Sequence, residues 1–126
     1  MSIQRLDHVN LRTAQLAAMV SWYRDILELE PGARPAFGFP GAWLYAGDHA
    51  IVHLVEVDGP VGAGSEAALK LEHFALQASD LAAFKARLEA HGERYREARI
   101  GELDLVQINV WDPDGNHIHV DFTGEG

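Results

Sequence analysis

The sequence predicts an α+β fold made of two tandem βαβββ modules. Three observations carry that expectation: a repeat across the two halves, an amphipathic helical stretch early in each half, and short apolar strand-like runs around them. The repeat comes first. Leu6-Asp7-His8-Val9-Asn10-Leu11 returns as Leu71-Glu72-His73-Phe74-Ala75-Leu76, an offset of 65 positions from histidine to histidine. Leu16-Ala17-Ala18 returns at the same spacing as Leu81-Ala82-Ala83. Late in each half, Gly47-Asp48-His49-Ala50-Ile51-Val52-His53-Leu54 is echoed by Pro113-Asp114-Gly115-Asn116-His117-Ile118-His119-Val120, an offset of 66 positions from His53 to His119. Module 1 then spans residues 3–57 and module 2 residues 69–123. The joint at 58–68 (DGPVGAGSEAA) is rich in glycine and small residues, as a linker should be. The 126 residues are expected to form a single domain.

Each element follows from its pattern. Ile3 to Leu11 is apolar and partly alternating, which suits a strand. Thr13 offers a helix N-cap. Leu16, Met19, Val20, Tyr23 and Ile26 or Leu27 then recur at helical spacing. Glu30-Pro31-Gly32 is expected to end that helix. Strands follow near 33–37, 42–46 and 50–57, with Gly47-Asp48 turning the last pair. Module 2 repeats the order: a strand at 70–77, then Ser79 or Asp80 capping a helix with Leu81, Phe84 and Leu88 on its apolar face. Gly92 suits the helix C-terminus. Strands near 93–99, 103–110 and 116–122 complete it, and Asp112-Pro113-Asp114-Gly115 is a strong turn signal.

Composition narrows the function. There is no cysteine, which excludes a disulfide framework, a thiolate metal site and a cysteine nucleophile. Acidic residues outnumber basic ones 19 to 10, so a polyanion would be repelled and no nucleic-acid partner is expected. No apolar run approaches the roughly 20 residues that span a bilayer, so no membrane partner is expected. The N-terminal stretch lacks the basic start and apolar core of a signal peptide, which makes a cytoplasmic location the expectation.

Seven histidines remain: His8, His49, His53, His73, His91, His117 and His119. His8 and His73 fall on the first strand of each module, and His53 and His119 on the last. A concave sheet could bring these four imidazoles to one place. Imidazole is the commonest metal ligand near neutral pH. The other reading is four hydrogen-bonded strand residues with no special role. His49, His91 and His117 are taken as surface residues, with His117 on the strand face opposite His119.

Leu6-Asp7-His8-Val9, Ser21-Trp22-Tyr23-Arg24-Asp25-Ile26-Leu27, Leu71-Glu72-His73 and Asp112-Pro113-Asp114-Gly115-Asn116-His117-Ile118-His119 together resemble the motifs of the vicinal oxygen chelate superfamily, also called the glyoxalase/bleomycin-resistance/extradiol-dioxygenase group. The resemblance covers nearly the whole chain. It implies paired modules forming a curled mixed sheet with a central pocket. It also implies a divalent metal held by one ligand from the first and one from the last strand of each module. Carried over, those ligands are His8, His53, His73 and His119, and the metal is Zn, Ni, Cu or Fe. The family usually has glutamate where this chain has His119, and its lactoylglutathione lyases commonly have glutamate at the position of His53. Without that carboxylate, such a site polarises substrate oxygens more strongly but has no ligand that can take a proton.

Two residues are candidates for catalysis. Asp121 shares a strand face with His119 and suits a base or a partner to the ligands; a solvated strand-end carboxylate is the alternative. Tyr45, with Trp43, lies on a strand that either lines the pocket or packs in the sheet. The stretch 34–43 suits a substrate-facing loop, a dimer contact or a plain sheet connection. The expected function is a metal-dependent lyase, isomerase or dioxygenase acting on a small oxygen-chelating metabolite. The alternative is a metal-free protein that binds or sequesters a small molecule. A homodimer is expected, with modules pairing either within or between chains.

Overall fold

Alternating apolar residues direct the strands, and apolar residues three or four apart direct the helices. The computed structural model describes residues 2–59 and 69–125, so residues 60–68 of the expected joint lie outside the described residues. The element order is β1 (Val9–Thr13), α1 (Leu16–Leu27), β2 (Glu30–Pro31), β3 (Gly41–Ala46), β4 (His49–Glu56), β5 (His73–Ala78), α2 (Leu81–Ala90), β6 (Arg96–Ile100), β7 (Leu105–Trp111) and β8 (His117–Thr123). The βαβββ order thus occurs twice. The chain divides into two compact units, Met1–Val61 and Gly62–Gly126.

In unit 1 the sheet order is β1-β4-β3-β2, with β1 parallel to β4 and the other pairs antiparallel. Met19, Trp22, Tyr23 and Ile26 form the buried stripe of α1, and Leu44, Val52 and Leu54 are the buried sheet residues. In unit 2 the order is β5-β8-β7-β6, again with one parallel pair, β5 with β8. Here Leu81, Phe84 and Leu88 on α2 and Ile118, Val120 and Phe122 on β8 are buried, with Phe84 and Phe122 in ring contact. Each unit therefore has one apolar sheet face, which leaves the opposite face of β4 and β8 for polar chemistry.

Several element ends differ from the sequence reading, each for a local reason. The first strand begins at Val9, because its pairing with β4 begins at Val9↔Val52; Ile3 and Leu6 stay largely exposed. Thr13 is not the N-cap. It ends β1, fully buried, and its hydroxyl accepts from the Gln15 N–H. Helix α1 stops earlier than Glu30-Pro31-Gly32 suggested: Glu28 takes the left-handed conformation and its N–H closes on the Arg24 carbonyl. Glu30–Pro31 then pairs with Tyr45 and Leu44 as β2, and residues 33–37 form no strand. Asp80, not Ser79, caps α2 by accepting from the Ala83 N–H. The Glu125 carboxylate takes the N–H groups of Asp80 and Leu81 at the same helix end. Gly47 sits at φ +63 in the two-residue β3–β4 turn, where the first central position calls for glycine. The Asp112 carboxylate closes the longer β7–β8 turn by accepting from the Asp114 and Asn116 N–H groups.

Gly41 is required by close approach. A Cβ there would collide with the Leu54 carbonyl oxygen of β4 and with the Arg34 guanidinium. A backbone oxygen within a paired strand has little room to yield. Gly41→Ala is therefore expected to cost about 1–3 kcal/mol, the usual range for overpacking. Urea unfolding monitored by circular dichroism measures this; an unchanged midpoint would contradict the assignment.

Candidate functional site

The polar face of each unit is built around histidine pairs set by strand register. In unit 1, His8 immediately precedes β1 and His53 lies on β4. Their rings stack at 3.8 Å between centroids, 13° from parallel. Trp43, opposite His53 in the β3–β4 register, stacks on its other side at 4.1 Å. In unit 2, His73 opens β5 and His119 lies on β8. Their rings also stack at 3.8 Å, 11° from parallel. The two repeat-equivalent pairs thus have one geometry.

Each pair has a carboxylate behind it. His8 Nδ1 donates to Asp7 Oδ2 at 2.7 Å, and His73 Nδ1 donates to Glu72 Oε1 at 2.8 Å. A carboxylate can only accept, so Nδ1 carries the proton and Nε2 carries the lone pair in each neutral ring. The same bonds hold the Asp7 and Glu72 carboxyls below their ordinary values. His53 and His119 are pushed the other way. Burial lowers both, and the neighbouring His8 or His73 lowers them further, so each favours the neutral ring that a metal needs.

His117 was expected on the surface, facing away from His119; the structure corrects this. Residues two apart on a strand share a face. His117 is buried, and its ring centroid lies 4.8 Å from that of His119 and 5.6 Å from that of His73. One ligand atom from each of His73, His117 and His119 lies within 4.8 Å of the other two. The His-x-His spacing was the signal in the sequence, and correct use of alternation would have found it. His49 is also more than a turn residue. It opens β4, and its Nε2 lies 3.0 Å from Asp7 Oδ1. His91 stands exposed at the end of α2, as expected, with Nδ1 on the Arg87 carbonyl.

Unit 1 holds an open cavity of about 500 Å³, lined by Asp7, His8, Trp43, Tyr45, His49 and His53 among others. The Tyr45 hydroxyl donates to the Ala33 carbonyl, and its ring lies where a Cβ on Gly32 would be. Beyond Trp43, Phe37 and Phe39 stack at 5.2 Å with the Arg34 guanidinium over both rings. In unit 2, Asp121 pairs in register with Gln107 and Gln77 on the face that carries His119. Its Oδ1 is buried without a hydrogen-bond partner among the described residues, and burial raises its pKa.

These donors suit a divalent metal in type and number. A tetrahedral site with metal–nitrogen bonds of about 2.1 Å separates its ligand nitrogens by roughly 3.4 Å. In unit 2 one ligand atom from each of His73, His117 and His119 lies within 4.8 Å of the others, so the three would draw closer together around an ion. Neutral imidazoles suit Zn, Ni, Cu or Fe.

Residues 5–120 match the profile of the Glyoxalase/Bleomycin resistance protein/Dioxygenase superfamily. No curated protein matches the sequence. Solved structures share the fold. A glyoxylase/bleomycin resistance protein/dioxygenase domain from Frankia sp. EAN1pec is 18% identical, with a TM-score of 0.79 over 97% of this chain and 99% of its own. Lactoylglutathione lyase from Agrobacterium tumefaciens is 21% identical, at 0.71 over 97% and 96%. A genomically encoded fosfomycin resistance protein from Listeria monocytogenes is 15% identical, at 0.71 over 98% and 96%.

The lowered pKa values of His53 and His119 have a consequence for stability. Between the ordinary histidine value of about 6.5 and the lower folded values, the unfolded chain binds more protons than the folded one. Stability therefore falls as pH drops through that window. The chelator-treated protein should melt at a lower temperature at pH 5.5 than at pH 7.5, and a His53→Gln/His119→Gln double variant should lose part of that drop. Equal drops in calorimetry would show that these rings do not carry it.

Proposed function

The chain belongs to the Glyoxalase/Bleomycin resistance protein/Dioxygenase superfamily, and from that premise we propose that it is a divalent-metal-dependent enzyme of lyase, isomerase or dioxygenase type, acting on a small metabolite that chelates through adjacent oxygens. The observation that carries this reading is the matched pair of histidine stacks, His8–His53 and His73–His119, each backed by a carboxylate on its first histidine. Hydrogen-bonded structural histidines need not recur at repeat-equivalent positions with the same outer partner. In this reading His8, His53, His73 and His119 are the metal ligands. The metal, when bound, supplies Lewis-acid stabilisation of an enolate-like or oxyanion state.

The chain's own residues divide the remaining work. Asp7 and Glu72 accept from Nδ1 of His8 and His73 and so fix their tautomers, leaving Nε2 for the metal. No ligand is a carboxylate, so proton transfer falls to a neighbour. Asp121 suits that role: it shares the face of His119, its Oδ1 has no protein partner among the described residues, and burial makes it a stronger base than an ordinary aspartate. Tyr45 acts as a positioning group in the unit 1 cavity, its own proton given to Ala33. The protein works as a cytoplasmic homodimer in this reading.

A second reading is favoured by one observation. Trp43, Phe37 and Phe39 present aromatic faces next to the His53 ring and beside an open cavity. That surface suits a metal-free protein that sequesters a planar or apolar small molecule.

Metal analysis separates the two. Untagged protein prepared without chelator should carry about one equivalent of Zn, Ni, Cu or Fe, and His119→Ala should lose it. Protein that takes up no metal after incubation with Zn, Ni and Fe(II) would leave the sequestering reading. Asp121→Asn tests the base: it should retain metal and lose turnover. It should also melt a few degrees higher, because burial disfavours the charged carboxylate and the amide carries no charge to desolvate. A variant that melts lower, or that turns over normally, would remove Asp121 from this role.

A further inference from the structure

We propose that unit 2 alone carries a complete three-imidazole metal site, His73, His117 and His119, in which His117 is a ligand in its own right. The site takes a divalent ion of borderline softness, such as Zn, Co or Ni. This deepens the metal reading above by naming a different donor set, and it does not require His8 or His53.

The argument starts from tautomers. Asn109 lies opposite His119 on β7 and is almost fully buried. Its Nδ2 donates to the Arg96 carbonyl, and the Arg96 guanidinium donates to its Oδ1. Both contacts fix the amide with its oxygen toward His117, whose Nε2 lies 2.8 Å away. An amide oxygen only accepts, so His117 Nε2 carries the proton, and in the neutral ring Nδ1 carries the lone pair. Glu72 does the same for His73 from the other side, leaving the lone pair on Nε2. Two of the three rings thus have their metal-binding nitrogen set by an outer partner, the arrangement by which proteins orient histidine ligands.

Packing fixes the rings as well as the tautomers. Trp111, opposite His117 in the β7–β8 register, stacks on it at 4.9 Å and 11°, and the Arg94 guanidinium lies 4.1 Å from the Trp111 ring centroid. His73 and His119 are stacked on each other, whereas His117 is inclined to them by 56° and 65°. The third ring therefore lies in a plane of its own beside the stacked pair. Three protein ligands leave coordination positions open for water or substrate. Unit 1 has no imidazole at the equivalent strand position. Its residue at the position of His117 is Ile51, and at that of Asn109 it is Trp43.

Zinc titration of the full-length 15N-labelled protein tests this without altering it. In long-range 1H–15N spectra, His117 should appear as the Nε2–H tautomer, and its Nδ1 should shift on adding one equivalent of zinc. In parallel, Co(II) binding is followed by visible absorption in three proteins. The His8→Ala/His53→Ala double variant separates the two donor sets: it should lose Co(II) if all four histidines share one ion, and should still bind it within about tenfold of wild type if unit 2 holds the ion through His73, His117 and His119. His117→Phe, which keeps a ring against Trp111 and removes the donor, should bind at least 100-fold more weakly. An unshifted His117 Nδ1, or His117→Phe binding as wild type does, would overturn His117 as a ligand and leave the four-histidine reading standing. Loss of Co(II) from the His8/His53 variant would overturn the independence of unit 2. A wild-type protein that binds neither ion would overturn both readings together.

Discussion

The polar chemistry depends on the two-residue period of β4 and β8. On β8, Ile118, Val120 and Phe122 are buried apolar residues, so His117, His119 and Asp121 must share the other face. Register then supplies their neighbours. The parallel β5 brings His73 opposite His117, and the antiparallel β7 brings Asn109 opposite His119 and Trp111 opposite His117. A slip of one residue would bury the imidazoles and expose the apolar residues, so the hydrophobic face fixes the histidine cluster.

Much of this was legible in the sequence, because period and repetition are local signals. The order βαβββ, the apolar faces of both helices, the Gly47 and Asp112 turns and the pairing of first-strand with last-strand histidines all follow from spacing. Other features were set by partners that sequence does not display. Residues 33–37 look like a strand, yet β3 pairs with Glu30–Pro31 instead. Thr13 looks like a cap, yet it is buried at the end of β1. The role of Asn109 depends on Arg96 and His117, which meet it only across β6–β7–β8. His117 is different: two residues before His119 on one strand, it shares that residue's face by alternation alone.

The two units share a scaffold and differ in what they place on it. Unit 1 surrounds its histidine pair with Trp43, Asp7 and His49 and adds an arginine–aromatic cluster from Arg34 to Phe39. Unit 2 has Asn109 in place of the tryptophan and sets His117 beside His73 and His119. The first is suited to gripping a flat or apolar molecule, the second to holding a cation.

The parallel pairing of β5 with β8 has a kinetic meaning. His73 and His119 are 46 residues apart and meet only when the loop through α2, β6 and β7 has closed. In the unfolded chain, His117 and His119 are near neighbours but His73 is remote. Closing that loop costs entropy that must be met before the long-range contacts form, which makes such pairings slow steps in folding. An ion that needs all three rings arrives after the chain has folded, and by binding only the folded form it would slow the escape from it. In such a protein, resistance to unfolding would track the free ion concentration of its surroundings.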